Sequence, residues 1–348
     1  MATFPRLAAR CSIDARGRTF TSGLLLDLIA ALRQTSDGDL IAVTGADDDT
    51  IDADLDAWSR LTNNPIVSRS VENGSVRWML RHGPAPADPD PRPLGERLWL
   101  YVNFDCNLRC DYCCVRSSPT APRRALGLEA VRRIAREAPP LGVNAFFVTG
   151  GEPFLLPDID DILLTLADAA PVTLLTNGML FRGPRLDQLK RLPRERVVLQ
   201  ISVDSPTPDV HDRHRGRGAW VRAMEGIETA RAEGFRVRLA ATVSSDADDQ
   251  AFAEFLDRMA IAPDDRVVRR VALRGFAANG VALGRSDLVP EITVTADGVY
   301  WHPVGAEDDD LLVTRTMFPL ADAFDAVRLA LARARAHQDR LASVFYCA

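Results

Sequence analysis

Cys106, Cys110 and Cys113 stand inside Phe104-Asp105-Cys106-Asn107-Leu108-Arg109-Cys110-Asp111-Tyr112-Cys113, a Cys-x3-Cys-x2-Cys spacing. Three thiolates on one short loop, with no fourth ligand at matching spacing, suit a cubane iron–sulfur cluster with one iron left open. Ordinary electron-transfer clusters take four cysteines, so the missing fourth invites a different ligand at the open iron. Zinc is the competing use of such a loop, but zinc sites usually need four ligands. Cys114 is too close to Cys113 to be a comfortable fourth, and His82 lies beyond a linker. Spacing alone leaves a zinc knuckle or scattered buried thiols open.

Further polar motifs follow in chain order. Gly150-Gly151-Glu152-Pro153 pairs two glycines, which let a backbone approach closely, with a carboxylate able to accept from an ammonium. Thr176-Asn177-Gly178 reads as a turn. In Ser202-Val203-Asp204, strand alternation puts Ser202 and Asp204 on one face; a helix cap from Asp204 or Ser205 is the alternative. His211-Asp212-Arg213-His214-Arg215-Gly216-Arg217-Gly218 reads as a basic loop. Cys114, Cys347 and Tyr112 are the remaining candidates for a part in catalysis. Cys114 also reads as an ordinary buried thiol, and Cys347 as a free surface thiol or a labile ligand.

These motifs need elements to hold them. Short apolar strands fit 98–103, 145–149, 172–176, 197–203, 236–243 and 267–273. Helices fit 128–137, 159–169, 185–191, 219–233 and 248–259. Six β-α repeats with apolar strands indicate an α/β fold whose parallel sheet is closed or curled into a barrel. The cysteine loop directly follows the first of these strands, and strand C-terminal ends are where barrel sites assemble. Downstream, residues 291–295 and 299–302 around Asp297-Gly298 read as a hairpin. A helix from Leu320 to about Ser343 follows, with Phe324, Val327, Leu331 and Leu341 on one face.

Upstream, His82 to Pro93 carries five prolines in twelve residues, a stiff spacer rather than an element. Before it, a helix fits 23–34 and a strand 40–43. A second helix starts near Thr50, and strands at 66–71 and 76–80 are joined by an Asn73-Gly74 turn. The expected division is a small β-α-β-α-β-β unit over 1–81, a linker over 82–95, a barrel over 96–285 and an extension over 286–348.

The chain has 348 residues, 47% hydrophobic and 26% charged, as an ordinary soluble globular protein of roughly two domains would have. A net charge of -6 argues against nucleic-acid binding by phosphate neutralisation. No run of about 18 apolar residues marks a membrane span and no signal peptide is evident. Six cysteines, three of them on one loop, do not make a secreted disulfide framework. A cytoplasmic location is expected.

The cysteine spacing, with an aromatic residue just before Cys113, and the Gly150-Gly151-Glu152-Pro153 motif after the second strand resemble radical S-adenosylmethionine (radical SAM) enzymes. The resemblance implies a partial (β/α)6 TIM-like barrel. It also implies one 4Fe-4S cluster ligated by Cys106, Cys110 and Cys113, with the open iron chelating the amino and carboxylate groups of S-adenosylmethionine. Gly150, Gly151, Glu152 and Pro153 would bind the amino group, and Asn177 would belong to a turn frequent in the family. Ser202 and Asp204 would meet the ribose or carboxylate, Arg215 the carboxylate, and Val271, Leu273, Arg274 and Gly275 would border the adenine. Ferredoxin or flavodoxin would supply the electron that cleaves the sulfonium, and the resulting 5′-deoxyadenosyl radical would take hydrogen from substrate. Many relatives that modify peptides carry auxiliary clusters in a C-terminal extension. Here no cysteine lies between Cys114 and Cys347, so a single cluster is expected.

The N-terminal unit resembles the TusA-type sulfur-carrier domain in Asp14-Ala15-Arg16-Gly17, Gly38-Asp39-Leu40-Ile41 and Trp78-Met79-Leu80-Arg81. The family's carrier cysteine and following proline are replaced by Phe20 and Thr21, and Cys11 lies too early to substitute. The unit is therefore expected to serve docking, substrate recognition or structure rather than carry sulfur, and to be the docking platform where the substrate is a peptide or protein. Two other readings stand beside this: an enzyme acting on a small metabolite of sulfur chemistry, and a non-enzymatic iron–sulfur carrier, which would need no glycine-rich cosubstrate motif.

Overall fold

Side chains alternating across a four-stranded sheet build the N-terminal unit. In this computed structural model the described residues are 9–20, 23–36, 38–46, 49–62, 64–72, 74–83, 93–243 and 246–344. The chain divides into two units, Met1–Pro91 and Arg92–Ala348. The first runs β1 (Cys11–Asp14), α1 (Leu24–Gln34), β2 (Leu40–Ala46), α2 (Asp49–Thr62), β3 (Ile66–Glu72) and β4 (Ser75–Arg81). Its sheet order is β1-β2-β4-β3, with β1 parallel to β2 and the other pairs antiparallel. Val76, Trp78 and Leu80 point from β4 into a core with Leu24 and Leu28 of α1 and Leu55 of α2. Gly74, at φ +76, makes the β3–β4 turn; its expected partner Asn73 lies outside the described residues, as do Thr21, most of the proline-rich stretch and Cys347.

In the second unit, parallel strands alternate with helices in the expected (β/α)6 order. These elements are β5 (Arg97–Tyr101), α3 (Leu128–Glu137), β6 (Ala145–Thr149), α4 (Ile159–Ala169), β7 (Val172–Thr176), α5 (Pro184–Arg191), β8 (Val197–Ser202), α6 (Pro208–Arg215), α7 (Ala219–Ala232), β9 (Val237–Val243), α8 (Asp246–Arg258) and β10 (Arg266–Arg270). Then come β11 (Thr293–Thr295), β12 (Gly298–Tyr300), β13 (Leu312–Thr314) and α9 (Leu320–Val344). One sheet holds all nine strands in the order β10-β9-β8-β7-β6-β5-β11-β12-β13. On one face, Leu98, Leu100, Phe146, Leu174, Leu199 and Leu239 are fully buried. Val131 and Ile134 of α3, with Ile162, Leu163 and Leu166 of α4, join them in a single core.

Two expectations need correcting. The basic stretch His211–Gly218 is not simply a loop: Pro208–Arg215 forms α6. Proline in the first turn suits a helix start, and Gly216 at φ +111 ends it. The downstream hairpin gains a third strand, β13, and does not stand apart. β11 lies parallel to β5, where the Trp99 amide donates to the Ile292 carbonyl at 3.0 Å. Among the described residues, no helix is long and apolar enough to cross a membrane.

Candidate active site

Three strand ends meet at the cysteine loop. Beyond β5, Asn103 directs its Nδ2 to the carbonyls of Asp105 (3.1 Å) and Glu152 (3.0 Å), joining the loop after β5 to the loop after β6. The Gly151 amide returns a bond to the Asn103 carbonyl at 3.1 Å, and the Glu152 amide one to the Asp105 carbonyl at 3.0 Å. Contact is so close that a Cβ on Gly151 would collide with the Asp105 carbonyl, and one on Gly150 with the Asn103 side chain. Asn103 Oδ1 is buried with no protein partner.

Glu152 is fully buried. Its carboxylate accepts from Thr176 Oγ1 (2.8 Å) and the amides of Asn177 (2.8 Å) and Phe154 (3.0 Å). Burial pushes its pKa up against those donors. The carboxylate thus knits the ends of β6 and β7 together rather than standing open to an ammonium, and Pro153 opens the short turn behind it. Asn177 donates to Asn107 Oδ1 at 2.8 Å, carrying the connection into the cysteine loop.

Asp204 does the same work on the other side. Its carboxylate accepts from Arg215 Nε (2.6 Å) and Nη2 (3.1 Å), from the Thr242 amide (3.1 Å) and from the Tyr112 hydroxyl. Burial alone would raise its pKa, but the Arg215 charge and these bonds hold it below the usual carboxylate range. Arg215, expected to meet a cosubstrate carboxylate, spends its fork on Asp204. Ser202 is half-buried in register with Ala240. His211 accepts the Asp204 amide at Nδ1 (3.2 Å), and burial, then the Arg215 charge, depresses its pKa to about 4.

The thiols sit between these anchors. The Cys106 amide donates to the Ser118 carbonyl and the Cys113 amide to that of Cys110, both at 3.2 Å. The Leu108 amide donates to Cys106 Sγ at 3.4 Å. Burial, then the Glu152 charge, raises the Cys106 thiol strongly. Cys110 is pushed up to about 11 by burial, with Arg215 opposing. Gly275, at φ +63, packs so tightly that a Cβ would strike the Cys113 carbonyl, and the Phe276 amide donates to that carbonyl at 2.9 Å. Arg274 is held by Asp308 (2.8 Å) and Asp310 (2.7 Å). Beside it a cleft of about 490 Å3 is lined by Arg116, Leu273, Gly275 and Asp308 among others. Cys114 is half-buried, its thiol raised to about 11 by burial and the neighbouring Cys113.

Three thiols crowded where water is scarce fit an iron–sulfur cluster, because iron removes their protons and neutralises the charge that burial penalises. Among the described residues no three His, Cys, Asp or Glu side chains converge on a single-ion position. Thiolates on separate corners of a cubane need not do so. The tightly packed glycines and the orphaned Asn103 Oδ1 beside the loop suit a ligand bearing hydrogen-bond donors. Asn103, Asn107 and His211 were not expected from sequence. Only the position of the asparagines, Asn103 just before the cysteine loop and Asn107 within it, hinted at them.

The sequence profile of the Radical SAM superfamily matches residues 100–259. Over 168 residues the chain is 35% identical to the antilisterial bacteriocin subtilosin biosynthesis protein AlbA of Bacillus subtilis, covering 47% of this chain and 36% of that one. Over 160 residues it is 34% identical to a probable GTP 3′,8-cyclase of Aeropyrum pernix, 44% of each chain. The chain thus spans less than half the length of these curated relatives. A solved structure, native anSMEcpe with bound AdoMet, shares the fold over 68% of this chain and 82% of that one, with a TM-score of 0.52 and 16% identity. With its cysteine triplet at the end of the first parallel strand, the segment 100–259 is a radical SAM superfamily domain.

Proposed function

We propose that this chain is a radical SAM enzyme whose substrate is a peptide or protein. The observation that carries the chemistry is the packing of Asn103, Phe104 and Asp105, which lead directly into Cys106, against Gly150-Gly151 with no room for a Cβ. Cys106, Cys110 and Cys113 would hold a 4Fe-4S cluster, and Gly150, Gly151, Asn177 and Ser202 border the place for S-adenosylmethionine. When bound, that pair supplies reductive cleavage to a 5′-deoxyadenosyl radical, with ferredoxin or flavodoxin as electron source. The chain's own residues orient and exclude. Glu152 fixes two strand ends, Asp204 anchors Tyr112 and therefore the cysteine loop, and the buried surroundings keep water from the reacting centre.

Similarity to a bacteriocin biosynthesis protein supports the peptide substrate. The N-terminal unit supports it too, as a TusA-like domain without its carrier cysteine, serving to dock that substrate. Similarity to GTP 3′,8-cyclases favours a second reading, a nucleotide or other small metabolite. Anaerobically reconstituted protein should contain iron and sulfide, absorb near 400 nm and release 5′-deoxyadenosine from S-adenosylmethionine; Cys106→Ala should lose all three. An intact cluster that releases no 5′-deoxyadenosine overturns the enzyme. A peptide encoded beside the gene should accelerate release while GTP leaves it unchanged, and stimulation by GTP alone selects the second reading.

A further inference from the structure

We propose that the sheet face opposite the helices binds an oxyanion of the substrate, carboxylate or phosphoryl, between Arg238 and Arg269. This rests on the reading above, in which the chain does radical chemistry on a substrate, and puts part of that substrate inside the barrel. Leu98, Leu100, Leu199 and Leu239 are sealed against the helices, whereas Phe147, Leu175, Ser202 and Thr242, on the other face of their strands, keep partial access to solvent. Gln200 is in register with Arg238, and Thr242 with Arg269, so both arginines share that accessible face.

Neither arginine has a carboxylate to itself. Arg238 is 23% exposed and its Nε is buried without a partner. The nearest carboxylate, Asp265, lies 3.9 Å away and is already held by Arg236 Nε at 2.9 and 3.0 Å. Arg269 is exposed and makes no ion pair or hydrogen bond among the described residues. Its charge is close enough to act on Arg238, Tyr101 and His302. Glu291 is taken by Arg97 and Trp99 Nε1.

The remaining polar groups reinforce the sign. His302 Nδ1 accepts the Val304 amide at 3.0 Å, which leaves Nε2–H as a donor when the ring is neutral. The Tyr101 hydroxyl donates to the Pro303 carbonyl at 2.9 Å and so supplies no negative charge. Two guanidiniums that repel one another, with only Asp265 near one of them and that carboxylate shared with Arg236, make a site whose charge a ligand completes. Their planar forks match carboxylate and phosphoryl oxygens.

The test uses anaerobically reconstituted full-length protein, with inorganic pyrophosphate and N-acetylglutamate as separate probes in calorimetric titrations. At least one probe should bind the unaltered protein, and pyrophosphate against N-acetylglutamate then identifies the oxyanion as phosphoryl or carboxylate. Arg238→Met and Arg269→Met should each weaken that binding at least tenfold, in line with loss of a charged hydrogen bond. Arg238→Lys and Arg269→Lys should recover part of it, and Arg270→Met, from the opposite face, should leave it unchanged. Binding of neither probe, or equal binding by the Met variants, overturns the proposal. Unstimulated 5′-deoxyadenosine release is measured alongside. If release persists while anion binding is absent, this site falls alone; if release is absent with the cluster intact, the enzymatic reading falls.

Discussion

Each unit contains an aspartate gripped by an arginine and by the polar tip of an aromatic ring, and the two differ in depth. In the N-terminal unit Asp52 accepts from Arg69 (2.7 Å) and from Trp78 Nε1 (2.5 Å), with its side chain 30% exposed. In the second unit Asp204 accepts from Arg215 and Tyr112 with its side chain 2% exposed. The shallow pair satisfies an indole N–H at the edge of an apolar core. The deep pair has four donors, since a buried carboxylate needs every lone pair matched. The same chemistry is a local fastening in one place and in the other a hub joining the cysteine loop, β8, β9 and α6. Depth rather than composition turns an ion pair into an organiser.

The sharpest way to break that comparison is to delete both carboxylates. Asp204→Ala strands Arg215 in the interior and should cost about 3–5 kcal/mol, with loss of the near-400 nm absorbance. Asp52→Ala should cost about 1 kcal/mol. Calorimetry of each variant checks both, and equal costs would remove the distinction. Next in size is Gly151→Ala, where a methyl meets the Asp105 carbonyl. Overpacking there should cost about 1–3 kcal/mol, and weaker S-adenosylmethionine binding would be read by equilibrium dialysis. The equivalent exposed change in the N-terminal unit, Gly74→Ala, meets no neighbour and strains only its φ of +76.

His302 gives an effect tied to pH. Burial, then the charges of Arg269, Arg274 and Arg97, lowers its pKa from 6.5 to about 4. Below pH 6.5 the unfolded chain binds a proton that the folded ring refuses, so stability falls as pH falls and levels off below about 4. His302→Gln should flatten the urea-midpoint profile between pH 6.5 and 4 relative to the unaltered chain. A parallel pair of profiles would show that the ring titrates normally. Smallest is Leu26→Asp on α1, where the side chain is 63% exposed. It should shift stability by no more than about 0.5 kcal/mol. If this face docks substrate, KM rises while unstimulated 5′-deoxyadenosine release stays constant.

The cysteine loop was legible because its meaning is carried by a spacing within eight residues. The β-α order was legible because apolar strands and one-sided helices such as α3 leave a periodic trace. What escaped reading is non-local or weakly patterned. Tyr112 and Asp204 are 92 positions apart and meet only when the barrel forms. α6 buries a single side chain, His211, and so has no apolar stripe to betray it; a proline and a glycine at its two ends were its only signals. Arg238 and Arg269 stand on different strands, and only the register of the folded sheet sets them on one face. The commitment of Glu152 to Thr176 and Asn177 could not be inferred from a motif that names only the acceptor.

The placement of β11 beside β5 has a practical corollary for anyone trimming this protein. The strand that launches the cysteine loop has β6 on one flank and a piece of the carboxy-terminal third on the other. Cutting the chain before residue 290 would leave the Trp99 amide and its neighbours as an open seam, the kind of edge along which separate molecules zip together. Minimal versions built for spectroscopy or crystallisation should therefore retain the terminal hairpin, and a precipitating truncation would speak of a bared strand rather than of a failed metal site.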